Sequence, residues 1–293
     1  MRSARLLSLV AVTLALVALA APAPVAAEAL LVDAATLHAQ RDRGALRIVD
    51  MVDEVADYRR GHIPGAVHLD IEKARVPVPR RGYRLPTREE GARLLGALGL
   101  TPETRVVIYD DAGGLNAAWL FYVLEALGHR HAVLLDGGVA AWRRAGFPLV
   151  TETPTIAPTS YRPEPRPERV TTAEWIREHL EDPSVALVDV RSPGEFTGAM
   201  RYARRGGHIP GAVNVEWQQN LRPDGTFKSA DELRALYAGA GATPDKTVVT
   251  YCQTHHRGAH TYFVLRLLGY PSVVGYDRSW AEWGDRDDLP VAR

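Results

Sequence analysis

Short apolar runs of four to six residues recur along the chain, each followed by a stretch in which apolar positions return every three or four residues. The pattern is clearest after residue 170. There "TTAEWIREHL" (171–180) has helical spacing with Thr172 placed as an N-cap, and "ALVDV" (186–190) is apolar on both faces of a strand. "SADELRALYAGA" (229–240) predicts a helix capped by Ser229, with Glu232 three residues on. "TVVTY" (247–251) predicts a strand, "GAHTYFVLRLLG" (258–269) a helix and "SVVGY" (272–276) a strand. Strands apolar throughout and separated by helices predict an α/β fold with a parallel sheet covered on both faces.

The pattern occurs twice. "RGHIPGAVHLD" (60–70) returns as "GGHIPGAVNVE" (206–216), each behind a short strand ending in aspartate, "LRIVD" at Asp50 and "VALVD" at Asp189. "TRVVIYDDAGGLNAAWLFYVLEALGH" (104–129) parallels "KTVVTYCQTHHRGAHTYFVLRLLGY" (246–270), and tails ending at Trp142 and Trp283 also match. Two copies about 140 residues apart are too few for a solenoid and predict a duplicated domain. The Pro- and Thr-rich stretch from 151 lacks apolar periodicity and reads as an extended connector. The expected organisation is a first domain at 28–150, a linker at 151–168 and a second domain at 169–293. The Gly and Pro of "GHIPGA" are expected to shape a turn, and Trp280 and Trp283 to be core.

Residues 1–27 have Arg2 and Arg5, an apolar run, Pro22 and Pro24, and small residues up to Ala27. This is the layout of a secretory signal peptide cleaved after Ala27; the run is short for a membrane anchor and broken by proline. The mature chain is therefore expected to be periplasmic or secreted, with no stable membrane association after signal removal. Lys plus Arg equals Asp plus Glu, so neither a nucleic-acid nor a membrane-surface partner is indicated. One cysteine cannot form an internal disulfide, and a lone thiol in an oxidising compartment is a liability unless it is buried or used.

That cysteine, Cys252, follows the "TVVTY" strand directly and precedes the next helix. This puts the thiol at the carboxyl edge of the sheet, where open α/β sheets bind ligands. Loop amides and the positive end of the following helix favour a thiolate and an anionic substrate there, and Arg257 adds a full charge. A packing cysteine belongs inside the strand or on the apolar face of the helix. A metal held by Cys252 with His255, His256 and His260 fits no standard zinc spacing, since adjacent histidines point apart. A cysteine phosphatase would place five residues between Cys and Arg, whereas four separate Cys252 from Arg257. No metal or cofactor is expected.

On these residues the whole mature chain resembles the tandem rhodanese family of sulfurtransferases. The duplicated "GHIPGA", "DVRSPGEF" (189–196), the single cysteine after "VVTY" and "YDRSWAEWG" (276–284) carry the likeness. The resemblance implies that Cys252 takes sulfane sulfur from a small-molecule donor as a persulfide and passes it to a thiophilic acceptor such as cyanide or a thiol. It implies two tandem rhodanese-like domains with catalysis in the second. The first copy has Asp110 where the second has Cys252 and is expected to be chemically silent; if Asp110 only caps the following helix, asparagine should serve as well.

The loop Gln253, Thr254, His255, His256, Arg257 departs from that of the mercaptopyruvate and vertebrate thiosulfate forms, and Glu195 stands where the family's tandem forms use an arginine. Positive charge is thus expected to have moved from 195 to 257, with Glu195 supporting Arg257. Arg257, Arg191, Gln253, Thr254, His255 and His256 are the expected substrate-binding residues around the catalytic Cys252. Thiosulfate is the expected donor; the alternatives are a 3-mercaptopyruvate sulfurtransferase and a non-catalytic envelope sulfur carrier or binding protein.

Overall fold

The computed structural model describes residues 30–41, 45–79 and 82–293; the expected leader at 1–27 lies outside them. In chain order the strands are β1 (Leu31–Val32), β2 (Leu46–Asp50), β3 (Ala66–His68), β4 (Val76–Pro77), β5 (Tyr83–Arg84), β6 (Arg105–Tyr109), β7 (Ala132–Leu135), β8 (Val185–Asp189), β9 (Val213–Asn214), β10 (Thr247–Tyr251) and β11 (Val273–Gly275). The first domain holds a parallel sheet in the order β1-β7-β6-β2-β3, the second a parallel sheet in the order β11-β10-β8-β9. Val170 bridges Gly275 in parallel and takes the place that β1 has in the first sheet. β4 and β5 form a small antiparallel ribbon that projects from the first domain.

The central strands β6 and β10 have every residue after the first buried, as sheets covered on both faces require. Thr172 accepts from the Trp175 amide, and Ser229 with Glu232 closes a capping box, both as the side-chain pattern predicts. The helix expected from 258 begins two residues earlier, at His256, because His255 adopts the left-handed conformation (φ 64°) and turns the chain at once.

The helices Leu115–Ala126 and His256–Leu267 follow β6 and β10, and both are buried nearly all round. A helix apolar on every face must be covered on every face. Each lies on its own sheet and against the other helix. Phe121 meets Phe263 edge-on with centroids 5.0 Å apart, and Tyr122 meets Tyr262 at 4.8 Å. Tyr262 donates to Glu125 (2.8 Å), which also accepts from Arg266 (3.0 Å). One apolar core therefore runs through both domains, with a separate cluster on each outer face. Residues 151–166 carry no helix or strand and are clipped to the first domain through Thr159 on Gly96, Glu164 on Leu127 and Arg166 on Ala126. This shared core brings the carboxyl edges of the two central strands together, so that His256 and His260 of the second domain reach Asn116 and Gly113 of the first.

Candidate active site

Cys252 is the first residue beyond β10 and is buried, with only 1% of its surface exposed. Its amide donates to Ser279 Oγ (3.2 Å), its carbonyl accepts from the Trp280 amide (3.0 Å), and the Gln253 carbonyl accepts from the Ala281 amide (2.9 Å). The loop is thus tied from one side to the segment that follows β11. Ser279 itself sits at φ 49°, where the first copy has Gly138 at φ 55°. A buried serine held at positive φ, donating to the Tyr276 carbonyl (2.8 Å) while accepting from Cys252, is a positioning device. Sequence reasoning missed it; the signal was a glycine-to-serine change between otherwise matching tails.

On the other side of the loop stand the first amides of the helix His256–Leu267, which have no carbonyl within the helix to bond. The first copy shows what such a loop holds. Asp110, wholly buried, accepts there from the amides of Ala112 (3.0 Å), Gly114 (2.8 Å), Asn116 (2.8 Å) and Ala117 (3.0 Å). Burial pushes its pKa up and the four amides pull it down; four donors on two oxygens is the geometry of an ionised carboxylate. Asn116 and Ala117 are the second and third residues of their helix, and Arg257 and Gly258 are the second and third of theirs. The first domain's loop is therefore an anion cradle closed by its own carboxylate. At the matching strand end the second domain has Cys252, on a loop one residue shorter before its helix.

Arg257 forms a bidentate pair with Glu195, Nη1 to Oε2 at 2.7 Å and Nη2 to Oε1 at 2.8 Å. Glu195 also closes a capping box with Ser192, so the carboxylate is fixed before it meets the arginine. Burial works against both charges. The pair overrides it: Arg257 holds Glu195 below the usual carboxylate range, and Glu195 together with the neighbouring Cys252 sulfur raises the Arg257 guanidinium.

Two expected substrate ligands are placed otherwise. Arg191 is buried and turned back on its own strand, with Nε on Asp189 Oδ1 (2.9 Å) and Nη2 on Asp189 Oδ2 (2.6 Å) and the Gly207 carbonyl (2.7 Å). Its guanidinium lies 4.6 Å over the Trp280 ring, so its charge and donors are spent inside the domain. His255, expected to line the substrate pocket, is fully buried instead, tilted against Tyr122 at 4.7 Å and edge-on to Trp119. A Cβ at Gly258 or Gly275 would come within 2.5 Å of its ring, which is why both positions lack one. Burial depresses its pKa to about 3. Both residues are corrected from substrate contacts to supports. Gln253, Thr254, His256 and Arg257 remain half-buried around the thiol, and the Gln253 amide donates to the Tyr202 carbonyl (3.0 Å). His260 stacks on Phe227 and meets the Gly113 carbonyl (3.1 Å), so the three histidines diverge; among the described residues no three metal-ligating side chains converge.

The first domain is not a bystander. His256 Nε2 lies 2.7 Å from Asn116 Oδ1, and the Asn116 amide is oriented by Asp53 (2.7 Å) and the Met51 carbonyl (2.9 Å). Asn116 therefore accepts and His256 Nε2 donates, which leaves Nδ1 as the lone-pair nitrogen. Burial, aided by Arg75 of the first domain and by Arg257, lowers the His256 pKa to about 4. A Cβ at Gly82, beside the β4–β5 ribbon, would touch Thr254 Cγ2 at 3.1 Å. Asp53, Arg75, Gly82 and Asn116 come from the other copy in sequence, which is why the second domain read alone gave no sign of them.

The family description "Rhodanese-like domain" matches this chain twice, at residues 33–145 and 172–286. A sulfur carrier protein of Thermus thermophilus is 40% identical over 261 residues, covering 85% of this chain and 91% of its own. A thiosulfate sulfurtransferase of Azotobacter vinelandii is 37% identical over 262 residues, covering 89% of this chain and 96% of its own. Among solved structures, an anaerobic ergothioneine biosynthesis enzyme from Chlorobium limicola superposes with a TM-score of 0.82 at 27% identity, over 90% of this chain and 71% of that one.

Proposed function

Because the chain belongs to the rhodanese family and acts in sulfur transfer, we propose that Cys252 carries the sulfur and that thiosulfate is the donor. The observation that supports this most is Asp110: the loop of the first copy binds a carboxylate through four amides, and the matching loop of the second copy, one residue shorter, carries a cysteine beside a fixed arginine. The Cys252 thiolate attacks the outer sulfur of thiosulfate. A sulfur–sulfur bond forms to Cys252 while that of thiosulfate breaks, and its electron pair leaves with sulfite. Cyanide or a thiolate then attacks the terminal sulfur of the persulfide, and the Cys252 thiolate departs. No external oxidant or reductant is needed, and a chain with one cysteine has no second thiol to discharge the persulfide internally.

Arg257 and the amides of the loop offset the charge of the dianion and of the departing sulfite. Glu195 occupies the family's usual arginine position, so the cation that would pair with the carboxylate of mercaptopyruvate is missing there. The expected result is a higher kcat/KM for thiosulfate than for mercaptopyruvate when thiocyanate formation is measured with both. Cys252→Ser removes turnover and the added sulfur that mass spectrometry finds on the thiosulfate-treated protein. Turnover in that variant, or no adduct on the wild type, overturns the reading. A second reading, delivery of the persulfide to a protein acceptor, is favoured by the relative named as a sulfur carrier and uses the same first half-reaction. Export to the periplasm or beyond is also part of the proposal, supported by the signal-like residues 1–27 and by a lone thiol that is buried.

A further inference from the structure

The duplication allows each domain to be read as a template for the other. In the second domain Arg191 fills a slot made by Asp189, the Gly207 carbonyl, Trp280 and Tyr251. Their counterparts in the first domain are Asp50, Gly61, Val139 and Tyr109. The match is anchored at several points. Tyr109 and Tyr251 both accept from the amide of the isoleucine in "GHIPGA", at 3.1 and 3.2 Å. Tyr58 stacks on His62 at 3.8 Å as Phe196 stacks on His208 at 3.7 Å.

Two substitutions hollow out this slot. Arg191 is replaced by Val52 and Trp280 by Val139, and a cavity of about 170 Å³ stands where the two large side chains would be. Asp50, Val52, Gly61 and Val139 all line it. Asp50 is 1% exposed and holds only the Tyr109 hydroxyl (2.5 Å) and the Val52 amide (2.9 Å), where Asp189 also holds a guanidinium. Tyr109 is a neutral donor, and His68 and His62 act on Asp50 only through space, so among the described residues no cation is hydrogen-bonded to the buried carboxylate that lines the cavity. Exposed Asp111 and Arg143 stand at the mouth, and Asp57 there is paired with Arg60.

We propose that this cavity is a recognition site for an alkylguanidinium group, seated on Asp50 and the Gly61 carbonyl as Arg191 is seated on Asp189 and the Gly207 carbonyl. The planar fork of a guanidinium matches a carboxylate in two bonds, which a lone ammonium does not. The apolar walls of Val52 and Val139 suit the attached carbons. Burial raises the Asp50 carboxyl above its ordinary range, and a bound cation reverses that. The group is presented either by a free small molecule or by an arginine side chain of another protein.

The test is a titration of the isotope-labelled full chain, followed by amide chemical shifts. Methylguanidinium is one probe, a capped Gly-Arg-Gly peptide the second, and N-methylurea the neutral control of similar shape. Saturable shifts centred on Val52, Gly61 and Val139, with the urea at least about tenfold weaker, are expected. Tighter binding of the peptide points to a protein source, and equal or weaker binding to a free molecule. Val52→Arg restores the second domain's own occupant and is expected to abolish the response while leaving sulfur transfer unchanged. Val139→Trp blocks the same space from the opposite wall, should the first variant not fold. No saturable response, an equal response to N-methylurea, or an undiminished response in a folded blocking variant overturns the proposal. None of these outcomes depends on the identity of the sulfur donor.

Discussion

Replacing Arg257 by alanine separates what this residue does for folding from what it does for the reaction. The guanidinium makes two charge-assisted bonds to Glu195, at 2.7 and 2.8 Å, and the two side chains keep 24% and 5% of their surfaces exposed. Truncation leaves a buried carboxylate without its cation, which costs ~3 kcal/mol of stability, the low end for a broken buried pair because Arg257 is partly wetted. Loss of a preorganised donor to the developing sulfite costs a further ~2 to 4 kcal/mol at the transition state, or roughly 30- to 900-fold in kcat/KM for thiosulfate. Initial rates of thiocyanate formation across thiosulfate concentrations give the second number, and urea midpoints the first. The double variant Arg257→Ala with Glu195→Gln removes the orphaned charge, so it is expected to regain most of the stability and none of the activity. Arg257→Lys keeps a charge but not the fork and falls between. Rates for Arg257→Ala within threefold of the wild type, or activity restored by the double variant, would refute the assignment of Arg257 to substrate.

Asp110→Asn is expected to lower the unfolding free energy read from urea denaturation by ~2 to 4 kcal/mol, because an amide can accept at one oxygen only and turns donors toward the remaining N–H groups; specific activity of the folded protein stays unchanged. Asn116→Ala removes the acceptor on His256 and is expected to reduce kcat/KM about fivefold, ~1 kcal/mol, while mass spectrometry still finds the persulfide adduct. Acid is expected to weaken the fold: burial holds His255 at about 3 and His260 at about 4, below their unfolded value, so their stability contribution is complete above pH ~6.5 and is lost as pH falls. From pH 7 to 5.5 the two cost ~2.5 kcal/mol together, while Asp277, raised to about 6 by burial, works in the opposite sense and returns a little under ~1 kcal/mol. Urea midpoints at the two pH values that do not differ would refute it.

The domain architecture was legible because it is written twice, and the second copy's strands and helices lie within a few residues of their apolar pattern. Cys252 was legible for a related reason: a polar, reactive side chain stood at the end of a strand whose other residues are apolar. The Glu195–Arg257 pair could be inferred because each charge stood where the other was needed. Arg191 was misread because sequence does not show where a flexible side chain turns, and a carboxylate two residues earlier captured it. His255 was misread because its left-handed backbone rotates the ring inward, a conformation that no propensity assigns to histidine. Asn116, Asp53 and Arg75 lie about 140 to 200 residues from His256 in sequence. Their contacts exist only once two buried helices have packed, so no local pattern announces them.

The two domains carry the same pair of charge-binding elements with opposite settings. Each has a loop between a central strand and a buried helix and, at the end of the neighbouring strand, a buried aspartate, Asp50 in the first domain and Asp189 in the second. In the second domain the cation position is closed by Arg191, and the loop carries the free thiol of Cys252. In the first domain the loop is closed by Asp110, and the aspartate faces a cavity. Asp110 and Asp189 are each matched within their own domain, by four amides and by Arg191, whereas Asp50 and Cys252 are not. Divergence after duplication needed few changes for this: Asp for Cys at the strand end, and Val for Arg and Trp at the slot. The chemistry of the second domain therefore does not require the first to be inert. On the proposed reading Asp110 fills the first domain's cradle from within, so that thiosulfate meets one loop with a thiol rather than two.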